Sequence, residues 1–159
     1  MWKDILKMPI VDELDNDDRF NIYLGNPELF TQQVSSHNYQ WESEDGNARA
    51  QFSLLVTKII PVWYIDVFEI AKDSRGKGKS RQYLEELVAD IREKESNIDI
   101  EEVISNNPEI RIELLYGKDG KTLDVFKPPY KIVGKGLWDT KEFWDKMIEE
   151  KIVDGYLGY

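Results

Sequence analysis

The sequence predicts an α/β fold of the α+β type: a mixed, mostly antiparallel central sheet flanked by helices. Three observations carry this. Tyr39 and Trp41 alternate with polar residues, Asp45-Gly46 follows as a hairpin turn, and Ala48, Ala50, Phe52, Leu54 and Val56 alternate through a second strand. Residues 62–71 (Val-Trp-Tyr-Ile-Asp-Val-Phe-Glu-Ile-Ala) are apolar on both faces, the pattern of a strand in the middle of a sheet. A glycine-containing turn then opens a helix near Lys79, in which Tyr83, Leu84, Leu87, Val88 and Ile91 share one face while Glu85, Glu86, Asp90 and Arg92 lie outside it. The 159 residues suit one domain over 1–159, enough to bury a core without disulfide or metal staples.

The remaining elements follow in order. Trp2, Ile5 and Leu6 suggest a short amphipathic helix over 1–8, and the acidic stretch 12–18 reads as a solvated loop lacking the glycine and terminal glutamate of an EF-hand. Residues 19–36 are ambiguous: 19–24 could form a strand, and Asn26-Pro27-Glu28 is a helix-start signal for a short helix through Val34. Residues 98–104 read as a strand. Asn107-Pro108-Glu109 is a helix start with Gly117 as a C-terminal cap, although Ile110, Ile112, Leu114 and Tyr116 also alternate into Asp119-Gly120 as a hairpin would; the helix is favoured. Late strands are expected at 122–126 and 130–133, around Pro128-Pro129. A C-terminal helix is expected over about 139–153, with Phe143, Trp144, Met147, Ile148 and Ile152 on its apolar face. The tail 155–159 could pack on the core or on a second subunit, so an oligomer stays open.

Composition narrows the function. With no cysteine, thiolate metal sites, disulfides and cysteine nucleophiles are excluded, which fits a reducing cytoplasm. A formal charge of −10 argues against a general nucleic-acid or anionic-membrane partner and suits a cationic one. No secretory leader is expected from the acidic N-terminus, and the longest apolar stretch, 59–65, is too short to span a bilayer. No metal site is expected. His37 stands alone, without a nucleophile-elbow motif, and reads as a surface residue.

The junction 72–80 (Lys-Asp-Ser-Arg-Gly-Lys-Gly-Lys-Ser) stands out in this acidic chain. Helix N-termini present unpaired N–H groups and a positive dipole end. Gly76 and Gly78 let a ligand approach the backbone, and Arg75, Lys77 and Lys79 add positive charge, so the junction can hold an anion. The plainer reading is a surface loop whose basic residues complement the acidic helix behind it.

The run Arg75-Gly76-Lys77-Gly78-Lys79-Ser80 after a central strand resembles the Arg/Gln-x-x-Gly-x-Gly/Ala motif of the GCN5-related N-acetyltransferase superfamily. Ser80 replaces the usual Gly or Ala. Residues 115–120 (Leu-Tyr-Gly-Lys-Asp-Gly) resemble that family's late Leu-Tyr-x-x-x-Gly-Phe segment, with Lys121 in place of the Phe. The similarity covers about thirty residues. Gly78-Lys79-Ser80 also matches the end of a nucleotide P-loop, but the first glycine of that motif would fall at Asp73, an acidic group opposing phosphate.

The resemblance implies a cytoplasmic N-acetyltransferase, with acetyl-CoA as co-substrate and a small-molecule or protein amine as acceptor. It implies that the backbone of Arg75, Gly76, Lys77, Gly78, Lys79 and Ser80 binds the pyrophosphate. It further implies that Phe68, Glu69 and Ile70 pair with the pantetheine arm like an added strand. Asp66 is then the candidate base, alternation placing it on one strand face with Tyr64, Phe68 and Ile70 and leaving Glu69 opposite; a structural ion pair is its other reading. Tyr116 is the candidate acid by the same resemblance, with a packed core tyrosine as the alternative. A binding module of this fold without turnover remains the rival from another class.

Overall fold

Asp45-Gly46 closes the first hairpin because Gly46 takes φ = 76°, which an L side chain adopts only with strain. A computed structural model describes residues 16–25, 35–57, 60–72, 78–103, 126–136 and 141–158. In chain order they form α1 (Asn16–Gly25), β1 (Ser35–Glu42), β2 (Ala48–Val56), β3 (Pro61–Ile70), α2 (Ser80–Glu95), the single turn α3 (Ile100–Val103), β4 (Lys131–Gly136), α4 (Lys141–Glu149) and β5 (Gly155–Gly158). The fold is α+β, with one mixed sheet in the order β1-β2-β3-β4-β5 and β3 at its centre.

The β1–β2 and β2–β3 ladders are antiparallel with eight and nine residue pairs; β3–β4 and β4–β5 are parallel with four pairs each. By paired length the sheet is therefore mostly antiparallel. The parallel connections carry α2 and α4, as parallel strands require a crossover.

Helices α2 and α4 cover one face. The indole N–H of Trp41 donates to Asp90, that of Trp63 donates to Glu95, and the Tyr83 hydroxyl donates to Asp45, so α2 is tied to β1, β3 and the hairpin turn. Tyr83, Leu84, Leu87 and Ile91 are buried beneath it, each contributing about 1.5–3 kcal/mol of apolar transfer free energy. From α4, Trp144 lies flat against Gly134, where a Cβ would come within 2.6 Å of its ring. Helix α1 packs on the other face at the far edge: Phe20 and Leu24 close on Gly155, and Lys131 pairs with Asp17 at 2.8 Å.

Several expectations need correction. Residues 19–24 form part of α1, not a strand, and the acidic residues Asp17 and Asp18 occupy its first turn, where carboxylates complement the helix dipole. Buried Phe20 and Tyr23 lie at helical spacing. Residues 100–103 are a helical turn rather than a strand. The C-terminal helix ends at Glu149, and the tail beyond it turns through Lys151 (φ 62°) into β5, which pairs with β4 of its own chain. The helices expected at 1–8, 26–34 and 107–117 and the strand at 122–125 lie outside the described residues; Phe126 belongs to a turn. Among the described residues no helix is long and apolar enough to cross a membrane.

Candidate functional site

Strand β3 runs further than its parallel neighbour. The β4 ladder follows it from Val62–Lys131 to Ile65–Gly134 and stops, whereas β3 continues to Ile70 against β2. Residues 66–69 thus pass beyond the β4 ladder at the C-terminal end of the central strand. In open sheets with crossover helices, ligands bind at this end, where the neighbouring strands part.

The chain leaves β3 there and enters α2. Gly78 has φ = 70° and is exposed, and a Cβ built on it would meet no atom within 4 Å. Its glycine requirement is therefore one of backbone conformation, not of space inside the protein. Lys79 is the N-cap residue; no side chain caps the helix and no acidic residue stands in its first turn, which Ser80 opens. The first-turn N–H groups and the positive dipole end thus have no acidic side chain of their own turn beside them. Arg81 bridges to Glu150 at 2.8 Å, joining the start of α2 to the end of α4.

A β-bulge decides where the candidate base points. Phe52 pairs with Ile65 and the adjacent Gln51 with Val67, so Asp66 is the extra residue on β3. Bulges bend a strand and re-aim side chains, often beside binding sites. The bulge corrects the expected alternation. Phe68 and Ile70, opposite Ala50 and Ala48, turn toward α2 and α4, whereas Asp66 joins Tyr64 and Glu69 on the opposite face. There Asp66 lines a depression of about 370 Å³ with Asn38, Gln40, Gln51 and Ser53. Its carboxylate lies 3.7 Å from the Lys135 ammonium of β4, both groups partly exposed.

The other expected site residues fall as follows. Phe68 stacks on Phe143 of α4, ring centroids 6.2 Å apart at 14°. Glu69 pairs with Arg49 across β2 at 2.7 Å on the exposed surface, a contact worth little to stability. Gly78, Lys79 and Ser80 form the helix entry. Arg75, Gly76, Lys77 and Tyr116 lie outside the described residues. Lys135, Asn38, Gln40, Gln51 and Ser53 join the site unannounced by any motif; their only signal was the polar half of the strand alternation, which equally describes a solvated face. Among the described residues no group of three His, Asp or Glu side chains could hold a metal ion. No protein-family model, curated protein or solved structure gives a significant match to this chain.

Proposed function

We propose that the chain is an acyl-CoA-dependent N-acetyltransferase acting on a primary amine. The observation that carries this reading is the passage of β3 beyond the β4 ladder beside an uncapped helix N-terminus entered through Gly78. That arrangement suits an extended amide-bearing arm lying along residues 66–69, with a pyrophosphate at the N–H groups of the helix entry. The P-loop alternative draws no support from a β3 flanked on one side by antiparallel β2.

In this reading Asp66, aimed by the bulge, accepts a proton from the acceptor ammonium, and the neutral amine attacks the thioester carbonyl. The C–N bond forms and the C–S bond breaks. The acceptor nitrogen gives up two protons in all: one passes through Asp66 to solvent and one ends on the departing thiol, with Tyr116 as the relay implied by resemblance. Lys135 beside Asp66 favours one rival reading, a binding module in which that carboxylate is only half of an ion pair.

Calorimetric titration with acetyl-CoA, followed by thiol release across a panel of amines, tests the proposal. Coenzyme binding with amine-dependent thiol release is expected, and Asp66→Asn should lower turnover by about 10²–10⁴-fold while leaving coenzyme affinity unchanged. Binding without thiol release would favour the module; no binding at near-millimolar coenzyme sinks the enzyme reading.

A further inference from the structure

We infer that the polar face of β1–β3, on the side away from α2 and α4, is the acceptor site, and that it fits a small compound with one ammonium group and an otherwise uncharged, hydroxyl-rich body: an amino sugar. This rests on the transferase reading and specifies its acceptor.

The argument is one of charge and hydrogen-bonding inventory. The depression beside the bulge is about 370 Å³, the scale of a small-molecule site. Among the described residues that line it, Asp66 is the only carboxylate. Asn38 and Ser53 are hydrogen-bonded to each other across β1 and β2. Gln40 and Gln51 face each other in register, and neither side chain is hydrogen-bonded among the described residues. Between them these two amides offer four N–H donors and two carbonyl acceptors, a set that matches hydroxyl groups, which both donate and accept.

The same floor continues into a wider depression of about 790 Å³, which shares Gln40 and Gln51 and reaches Glu42, Arg49 and Glu69. There Arg49 is engaged by Glu69 and stands opposite Glu42 in the ladder, so the described cation at the far end is already matched by carboxylates. For a zwitterionic amino acid the described cation nearest the base is Lys135, which already pairs with Asp66 at 3.7 Å. For a polyamine, carboxylates stand only at the two ends, Asp66 at one and Glu42 and Glu69 around Arg49 at the other, and the described floor between them is neutral. Lys135, 3.7 Å from Asp66, already places an ammonium against that carboxylate, as the acceptor would.

The test uses the full chain labelled with 15N, titrated with glucosamine while the side-chain amide signals of Asn38, Gln40 and Gln51 are followed. Glucosamine should shift Gln40 and Gln51, and N-acetylglucosamine, which lacks the ammonium, should bind about tenfold more weakly. The exposed double variant Gln40→Ala/Gln51→Ala should lose about tenfold in affinity with its melting temperature unchanged. Absent shifts, tighter binding of putrescine, or larger shifts with a short peptide bearing a free N-terminus would each overturn the inference. Acetyl-CoA binding measured in parallel separates the two claims. Coenzyme binding without glucosamine shifts removes only the acceptor assignment. Glucosamine shifts without coenzyme binding remove the transferase reading and leave a sugar-binding face.

Discussion

The indole N–H of Trp63 donates a 2.7 Å hydrogen bond to Oε2 of Glu95, joining the start of β3 to the last turn of α2 in the protein interior. Trp63 is fully buried and Glu95 only 5% exposed. The same oxygen accepts from Arg92 and from the backbone N–H of Tyr130, each at 3.0 Å, and Arg92 also donates to the Tyr130 carbonyl at 2.7 Å. A buried carboxylate is costly unless its lone pairs are used, and here they hold strand, helix and the entry to β4 together.

Glu95→Ala should therefore destabilise the protein by about 3–5 kcal/mol, because it strands a buried indole N–H and a backbone N–H. Glu95→Gln keeps an acceptor and should cost less, about 1–2 kcal/mol. Urea unfolding monitored by fluorescence would show both as shifts in midpoint at constant slope.

Gly134→Ala should destabilise through overpacking. The new Cβ would lie 2.6 Å from the Trp144 ring, which is itself wedged against Phe68 and Phe143. A loss of about 1–3 kcal/mol is expected. Adding Trp144→Leu to that variant should recover part of the loss in the same assay, since it removes the clashing ring atoms.

Asp45 should shape the acid limb of stability. The Tyr83 hydroxyl, then the Asn47 backbone N–H and the Ser43 hydroxyl, donate to it and lower its pKa from 3.8 to about 2. A folded-state value below the unfolded one means that its contribution is fully present above about pH 4 and is lost as pH falls through about 2. Asp45→Asn should flatten the stability profile between those limits and leave its shape near neutrality unchanged, as measured by thermal melts across pH.

Gly78 separates backbone strain from ligand approach. At φ = 70°, Gly78→Glu incurs about 1–2 kcal/mol of strain and sets a carboxylate at the helix entry; Gly78→Asn tolerates that φ and adds no charge. Calorimetry with acetyl-CoA should show at least a hundredfold loss for the glutamate variant and less than about tenfold for the asparagine one. Equal affinity in both would move the pyrophosphate elsewhere.

Much of the molecule is written locally. Asp45-Gly46 forms its turn because the glycine supplies positive φ, β2 carries an apolar residue at every second position from Ala48 to Val56, and α2 starts just past Gly78 with the apolar stripe its spacing predicts. These features depend on neighbours a few residues away, so sequence alone determines them, including the basic, glycine-containing entry to the helix. Tertiary structure decided the rest. Residues 19–24 carry a pattern short enough for strand or helix, and packing of Phe20 and Leu24 on Gly155 accompanies the helical outcome. The tail becomes β5 only because β4 offers a parallel edge some twenty residues away in sequence. The direction of Asp66 depends on one extra residue between the β2 and β3 registers; strict alternation cannot contain it, since a bulge arises from the pairing of two strands and not from either strand by itself.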